Sequence, residues 1–382
     1  MIGEFQRGDI ALNGICPYFT MFPLDFPLNI LQRRARVGDV VLDPFCGRGT
    51  TNFAARLVGL HSLGVDSSPV ATAITASKLA IATVDDIVAE ARRILTGGEP
   101  RHIPASEFWQ WAFHRNVLDA LCRFREAFLD DCTTDARIAL RGIVLGALHG
   151  PKQKAFPSYF SNQCPRTYAP KPGYATRFWR GRGLAPEPID VLDVIGRRAK
   201  RYYGTSCDVT GTVRLADSRD AEALKPEALG IRFDWVITSP PYYGMRTYIP
   251  DQWLRNWFVG GSESVDYSSR NQVVHSSPEE FAGDLRRVWR NAESVCYEDA
   301  NMVIRFGGIA DRRADPLDLI KNSLSDSGWR ITTIREAGSA AEGKRQADTF
   351  LRAKSTPLVE YDVWAMRICR VHREQRLARV AK

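Results

Sequence analysis

The stretch from Asp39 to Asp66 constrains this chain more than any other. Asp39-Val40-Val41-Leu42-Asp43 has the short apolar centre of a buried strand. It runs into Pro44-Phe45-Cys46-Gly47-Arg48-Gly49-Thr50, a helical stretch over 51–60, and a second short strand, His61–Asp66. Strand, glycine turn, helix, strand and acid open a doubly wound α/β sheet. Glycines at such a turn let the backbone approach a ligand closely and tolerate positive φ. The spacing is not that of a dinucleotide loop, because the third position after Gly49 is Asn52. Nor does the loop contain Gly-Lys-Ser/Thr, which disfavours a nucleoside triphosphate. An acid at the end of the first strand, Asp43, suits a cationic or amine-bearing ligand. An acid at the end of the second, Asp66, is placed to accept both hydroxyls of a ribose.

Strand character returns at 212–217, 233–238, 301–306, 329–335 and 361–368, giving about seven strands. Between the second and third lies a helical region, with apolar residues three and four apart in Glu107–Phe128 and Thr133–Gly150. Residues 151–188 hold seven of the 21 prolines and read as an irregular surface segment, followed by a helix over 189–203. Ser277-Pro278-Glu279-Glu280 reads as an N-cap, a first-turn proline and a capping-box glutamate. The expected organisation is a Rossmann-like sheet domain from 1–84 and 206–370, a helical and basic insertion at 85–205, and a basic tail at 371–382. Trp253 and Trp257, four apart, predict a buried helix face rather than a stacking platform.

With 382 residues and 44% hydrophobic content the chain can bury a sizeable core. It has no apolar run of about 18 residues, and Met1–Phe5 lacks the layout of a secretory signal. Eight cysteines scattered singly and six dispersed histidines predict reduced cytosolic thiols and no metal site. The net charge of +8 is concentrated: residues 151–205 carry eleven Lys and Arg against three acids, an excess equal to that of the whole chain. The same residues hold nine aromatics. Basic side chains interleaved with rings suit a phosphate backbone and stacked bases. The candidates are Lys152, Lys154, Arg166, Lys171, Arg177, Arg180 and Arg182.

The second motif, Thr238-Ser239-Pro240-Pro241-Tyr242, begins at the end of the strand over 233–238. Two consecutive prolines stiffen the turn and remove two backbone donors, leaving carbonyls free to face a substrate. A hydroxyl, a forward-pointing carbonyl and the flat face of Tyr242 fit the edge and face of an amino-bearing base.

Taken together, DPFCGRGT and TSPPY resemble the S-adenosylmethionine-dependent methyltransferases that modify exocyclic amines of nucleic-acid bases. The resemblance covers most of the chain outside the insertion. It implies that Asp43, Phe45, Gly47, Gly49 and Thr50 hold the methionine part of S-adenosylmethionine. Asp66 would lie at the ribose and Asp217 near the adenine amine, with Ser67 and Ser239 also binding the cofactor. Pro17–Phe22 resembles the family's cofactor-flanking motif, which adds Phe19. The order of motifs implies a target-recognition region in the insertion and duplex DNA as partner, with base flipping. The catalytic set is Ser239, Pro240, Pro241 and Tyr242.

Carbon-5 cytosine methylation needs a thiolate in a Pro-Cys pair, and this chain has none. Among amine methylators, Ser-Pro-Pro-Tyr resembles the N4-cytosine members, whereas N6-adenine members more usually carry Asp or Asn in place of the serine. DPFCGRGT is also similar to the loop of tRNA guanine-N2 methyltransferases, so N6-adenine and tRNA remain alternatives. Restriction–modification, phage defence and solitary regulation all stay open as the biological setting.

Overall fold

A computed structural model describes residues 7–18, 22–150, 158–162, 171–204, 209, 211–226, 231–244, 252–265, 277–308, 314–339 and 359–368. The chain divides into two compact units, one of residues 22–68, 211–246 and 270–382, the other of 1–21, 69–210 and 247–269.

The first unit is built on a seven-stranded sheet. Its strands are β1 (Val40–Asp43), β2 (His61–Asp66), β3 (Thr212–Leu215), β4 (Phe233–Thr238), β5 (Cys296–Phe306), β6 (Trp329–Ser339) and β7 (Val359–Arg367). They lie in the order β3-β2-β1-β4-β5-β7-β6. Pairing is parallel from β3 to β5 and antiparallel where β7 slots between β5 and β6. The doubly wound α/β sheet expected from the sequence is therefore present. The order reverses between β1 and β4, and at such a switch point the crevice at the carboxyl ends of the strands takes the ligand.

Backbone register between β1 and β4 is short, Val41 opposite Trp235 and Leu42 opposite Val236. Side chains reinforce it. Asp234 accepts from the Val40 N–H at 2.8 Å, and the Trp235 indole donates to Asp39 at 2.8 Å. One face of the sheet packs Leu42, Val236, Met302 and Ile304 against Leu285, Val288 and Trp289 of the helix Pro278–Val295. That helix starts where the sequence predicts, with the Ser277 hydroxyl accepting from the Glu280 N–H at 3.1 Å.

The second unit is helical. Its longer helices are Pro69–Leu79, Val84–Leu95, Arg115–Asp130, Asp135–Ala147 and Val191–Tyr202. The single apolar period read over Glu107–Phe128 is two helices, Glu107–Ala112 and Arg115–Asp130, split at Phe113 and His114, where the backbone turns extended. Trp109 sits 4.4 Å from Trp257, centroid to centroid, and Trp253 joins the same buried aromatic cluster. These two tryptophans are a core face, as their spacing predicts.

The basic stretch reads differently in three dimensions. Lys152, Lys154 and Arg166 lie outside the described residues. Lys171, Arg177, Arg180 and Arg182 are exposed, with Arg180 paired to Glu107 at 2.8 Å and Arg182 over the Phe178 ring. Four of the nine aromatics, Phe160, Trp179, Tyr202 and Tyr203, are buried. They pack the helical unit and offer no face for stacking. Among the described residues no helix is long and apolar enough to cross a membrane.

Candidate active site

The glycine loop is held by its neighbours in the sheet unit. Gly47 and Gly49 adopt left-handed φ of +51° and +73°, a region that costs other L-residues about 1–2 kcal/mol. Gly49 serves as the N-cap of the helix Thr50–Leu57, so Thr50 is its buried first residue. The Cys46 N–H donates to the Val65 carbonyl at 3.0 Å, and the Gly47 N–H donates to Asp66 at 2.9 Å. From the far side the Ser218 hydroxyl donates to the Pro44 carbonyl at 2.6 Å. The loop can lie this close to β2 only because position 64 has no side chain. A Cβ there would stand 2.7 Å from Asn52 Oδ1 and 2.9 Å from Cys46 Cβ. A glycine in the middle of a strand marks such an approach, and the sequence reading passed over it.

Asp43 is fully buried. Its Oδ1 accepts from the Thr238 hydroxyl at 2.6 Å and from the Phe45 N–H at 3.1 Å. Its Oδ2 has no hydrogen-bond partner among the described residues. Burial pushes its pKa up from 3.8 to about 7, against the downward pull of those hydrogen bonds. Burial likewise raises Asp66, whose two oxygens accept from Ser68 N–H at 2.8 Å and Gly47 N–H. A buried carboxylate with an orphaned oxygen and a half-buried one on the next strand make this end of the sheet a place for a cation or a hydroxyl donor.

Thr238 is the hinge between the two motifs. It closes β4, donates to Asp43 at the end of β1, and hands the chain to Ser239, Pro240, Pro241 and Tyr242. Ser239 is half-buried and Pro240 buried. The Tyr242 hydroxyl donates to the buried Glu360 at the start of β7, and its ring meets Phe306 edge-on at 5.5 Å. Phe45 sets its ring edge-on to Trp289 at 5.9 Å.

Of the remaining residues singled out in the sequence, Ser67 is exposed just past β2. Asp217 is exposed beyond β3, and Arg219 engages its carboxylate at 2.6–3.0 Å, which holds its pKa below the usual range. Phe19 lies outside the described residues. No local pattern points to Glu360, because its partner is 118 residues away. Among the described residues no group of three His, Cys, Asp or Glu is disposed to hold a metal.

Residues 7–77 match the model of the N6/N4 methyltransferase family, described as DNA methylase. That match covers less than a fifth of the chain and marks a resemblance to the DNA amino-methyltransferases. The segment is 38% identical over 68 residues to the type II methyltransferase M.MjaII of Methanocaldococcus jannaschii, covering 18% of this chain and 13% of that protein. It is 48% identical over 33 residues to the type II methyltransferase M.BsoBI of Geobacillus stearothermophilus, covering 9% and 6%. The matched parts thus span a small fraction of these relatives. Among solved structures, the rRNA methyltransferase aviRa from Streptomyces viridochromogenes aligns over 95% of this chain and 94% of its own. Its identity is 13% and its TM-score 0.35, too distant to bear on function. The residues fit S-adenosylmethionine, the cofactor that the resemblance implies: the orphaned Asp43 oxygen suits a cation, and Asp66 offers a carboxylate beside a glycine cradle.

Proposed function

We propose that this chain methylates DNA at the exocyclic N4 amine of cytosine, using S-adenosylmethionine. The observation that carries the reading is the Thr238–Asp43 hydrogen bond. It ties the cofactor-type loop to the TSPPY turn, although 195 residues separate them in the chain. When bound, the cofactor supplies an electrophilic methyl group on a cationic sulfonium.

The work left to this chain is positional. An aromatic exocyclic amine is a poor nucleophile because its lone pair is delocalised into the ring. In this reading the Ser239 hydroxyl and the Pro240 carbonyl accept hydrogen bonds from the amine and draw that lone pair out of conjugation. Pro241 stiffens the turn. Tyr242, fixed by Glu360 and Phe306, stacks on the base once it is flipped from the duplex. Asp43 and Asp66 hold the cofactor so that the amine attacks in line, and alignment of this kind supplies much of the rate. No side chain forms a covalent bond. The insertion, with Lys152, Lys154, Arg166, Lys171, Arg177, Arg180 and Arg182, takes the duplex in a prokaryotic cytosol or nucleoid. A cognate restriction or phage-defence system is the natural partner.

The test is methyl transfer from labelled S-adenosylmethionine to duplex DNA and to total tRNA in parallel, followed by nucleoside analysis. N4-methylcytosine in DNA is the expected product. N6-methyladenine keeps the mechanism and replaces the base. Label in tRNA alone, or none in either, overturns the DNA assignment.

A further inference from the structure

The sheet unit holds a second concave site, a cavity of about 380 Å³ between the helix Asp25–Arg34 and the strands β5, β6 and β7. Four arginines line it: Arg33 and Arg34 from the last turn of the helix, Arg305 from β5 and Arg335 from β6. Two lie against aromatic rings, and one of these is also ion-paired. The Arg305 guanidinium forms a two-pronged pair with Asp362, both bonds 2.8 Å, and lies 4.0 Å from the Phe26 ring centre. Arg34 lies 4.8 Å from the ring centre of Trp364. The other two, Arg33 and Arg335, are exposed and make no ion pair or hydrogen bond with any described residue. Two acids face the cavity, and Asp362 is already spent on Arg305; Asp25 is exposed at the opposite end of the helix.

The helix dipole accounts for cations in the last turn of Asp25–Arg34. It does not account for Arg335 reaching the same cavity from β6: Asp362 lies opposite both Arg305 and Arg335 in the strand register, but its carboxylate pairs with Arg305, which leaves the cavity with a net excess of cations. Pockets for small organic ligands carry only a few polar groups on an apolar lining; this one sets four guanidinium groups beside Pro23, Phe26, Ile30 and Trp364. Their planar forks match the paired oxygens of a phosphate. The Arg305 guanidinium, fixed by Asp362 and Phe26, loses little freedom on binding. The exposure of Arg33 and Arg335 fits a ligand that stays partly in water, as a nucleic-acid backbone does.

We infer that this arginine-lined cavity is a phosphodiester site that holds the backbone of the DNA. It lies outside the 151–205 stretch to which the sequence assigned DNA contact. As to the source of the phosphate, the inference rests on the DNA reading above.

The test is fluorescence anisotropy of the full chain with a short labelled duplex over a salt series, for the native protein, R33A/R335A and R33K/R335K. Circular dichroism checks folding, and calorimetric titration with S-adenosylmethionine is run alongside. Each phosphate contact contributes about 0.9 to the slope of log affinity against log salt. The double alanine variant is expected to lose about 1.8 from that slope and to bind duplex at least tenfold more weakly at low salt. The lysine variant keeps most of the slope, since charge is retained. Cofactor binding stays at the native value in both variants.

An unchanged slope in R33A/R335A overturns the site. Binding of the mononucleotide dTMP that is lost in R33A/R335A, with duplex binding intact, overturns DNA as the source and makes this a free-nucleotide site. If the native protein binds cofactor but no duplex at any salt, the DNA reading itself has failed and takes the backbone assignment with it.

Discussion

At the residue scale, Asp43 carries the sharpest consequence. With a folded pKa of about 7 against 3.8, it keeps its proton in the folded chain at pH values where the unfolded chain has released it. Its contribution to stability therefore falls as pH rises from about 4 to about 7 and is level above that. The loss is on the order of 4 kcal/mol for a shift of this size. The cofactor-free protein is expected to melt at a lower temperature at pH 7 than at pH 5.5, relative to D43N, in which this dependence is absent. In the reading proposed here, D43N also removes the carboxylate that holds the cofactor's cation. Titration calorimetry should show cofactor affinity of the native chain tightening with pH up to about 7, and D43N losing it by at least tenfold. A D43N protein that binds cofactor as well as the native one at pH 8 would remove Asp43 from the site.

Legibility in the sequence follows the range of the interaction. The glycine loop, TSPPY and the two strand-end acids are local patterns, and each appears where the sequence places it. The Thr238–Asp43 and Tyr242–Glu360 hydrogen bonds join residues more than a hundred positions apart, so no window along the chain reveals them. Gly64 was legible and passed over. So was the burial of Trp179 and Tyr202: Ala175, Thr176 and Trp179 are three and four apart, as are Val191, Val194, Ile195, Ala199 and Tyr202. Composition counts rings, but only periodicity says which way they face.

At the element scale, the helix Pro278–Val295 supports the site from below. Trp289 is wholly buried, its indole donates to the Ser323 hydroxyl at 3.0 Å, and its carbonyl accepts from the Trp329 indole at 2.9 Å. Its ring also backs Phe45 in the glycine loop. Trp289→Ala is expected to cost about 3–5 kcal/mol by cavity formation, read as a lower urea midpoint with an unchanged m-value. Because Phe45 loses its support, cofactor affinity should fall as well, even under conditions where the variant remains folded. The strand order was harder to foresee than the strands. That β7 inserts between β5 and β6 is a matter of pairing across a long connection, and the apolar runs alone do not specify who pairs with whom.

At the scale of the whole molecule, charge is the property that acts at a distance. In the reading proposed here the exposed cations Lys171, Arg177 and Arg182 face the duplex. The K171A/R177A/R182A protein is then expected to lose about 2.7 from the salt slope of DNA binding. Melting temperature and cofactor affinity should be native. A full slope in that variant would make this stretch an ordinary solvated surface.

The strand pair β2 and β3 lies side by side and parallel, yet the chain between them is 145 residues long, from 67 to 211. A parallel crossover needs only a dozen or so. The sheet therefore dictates little of what that connection says. In the reading proposed here, two relatives can keep the same loops and write different sequences there, sharing a reaction while reading different addresses on DNA. The freedom has a boundary, because the connection is not packed alone: Trp109 leans on Trp253 and Trp257, and Lys78 donates to Asn13 at 2.9 Å. A transplanted connection must bring its own matches for 252–265 and for the first residues of the chain. New specificity in such a protein arrives as three coordinated edits rather than one cut and paste.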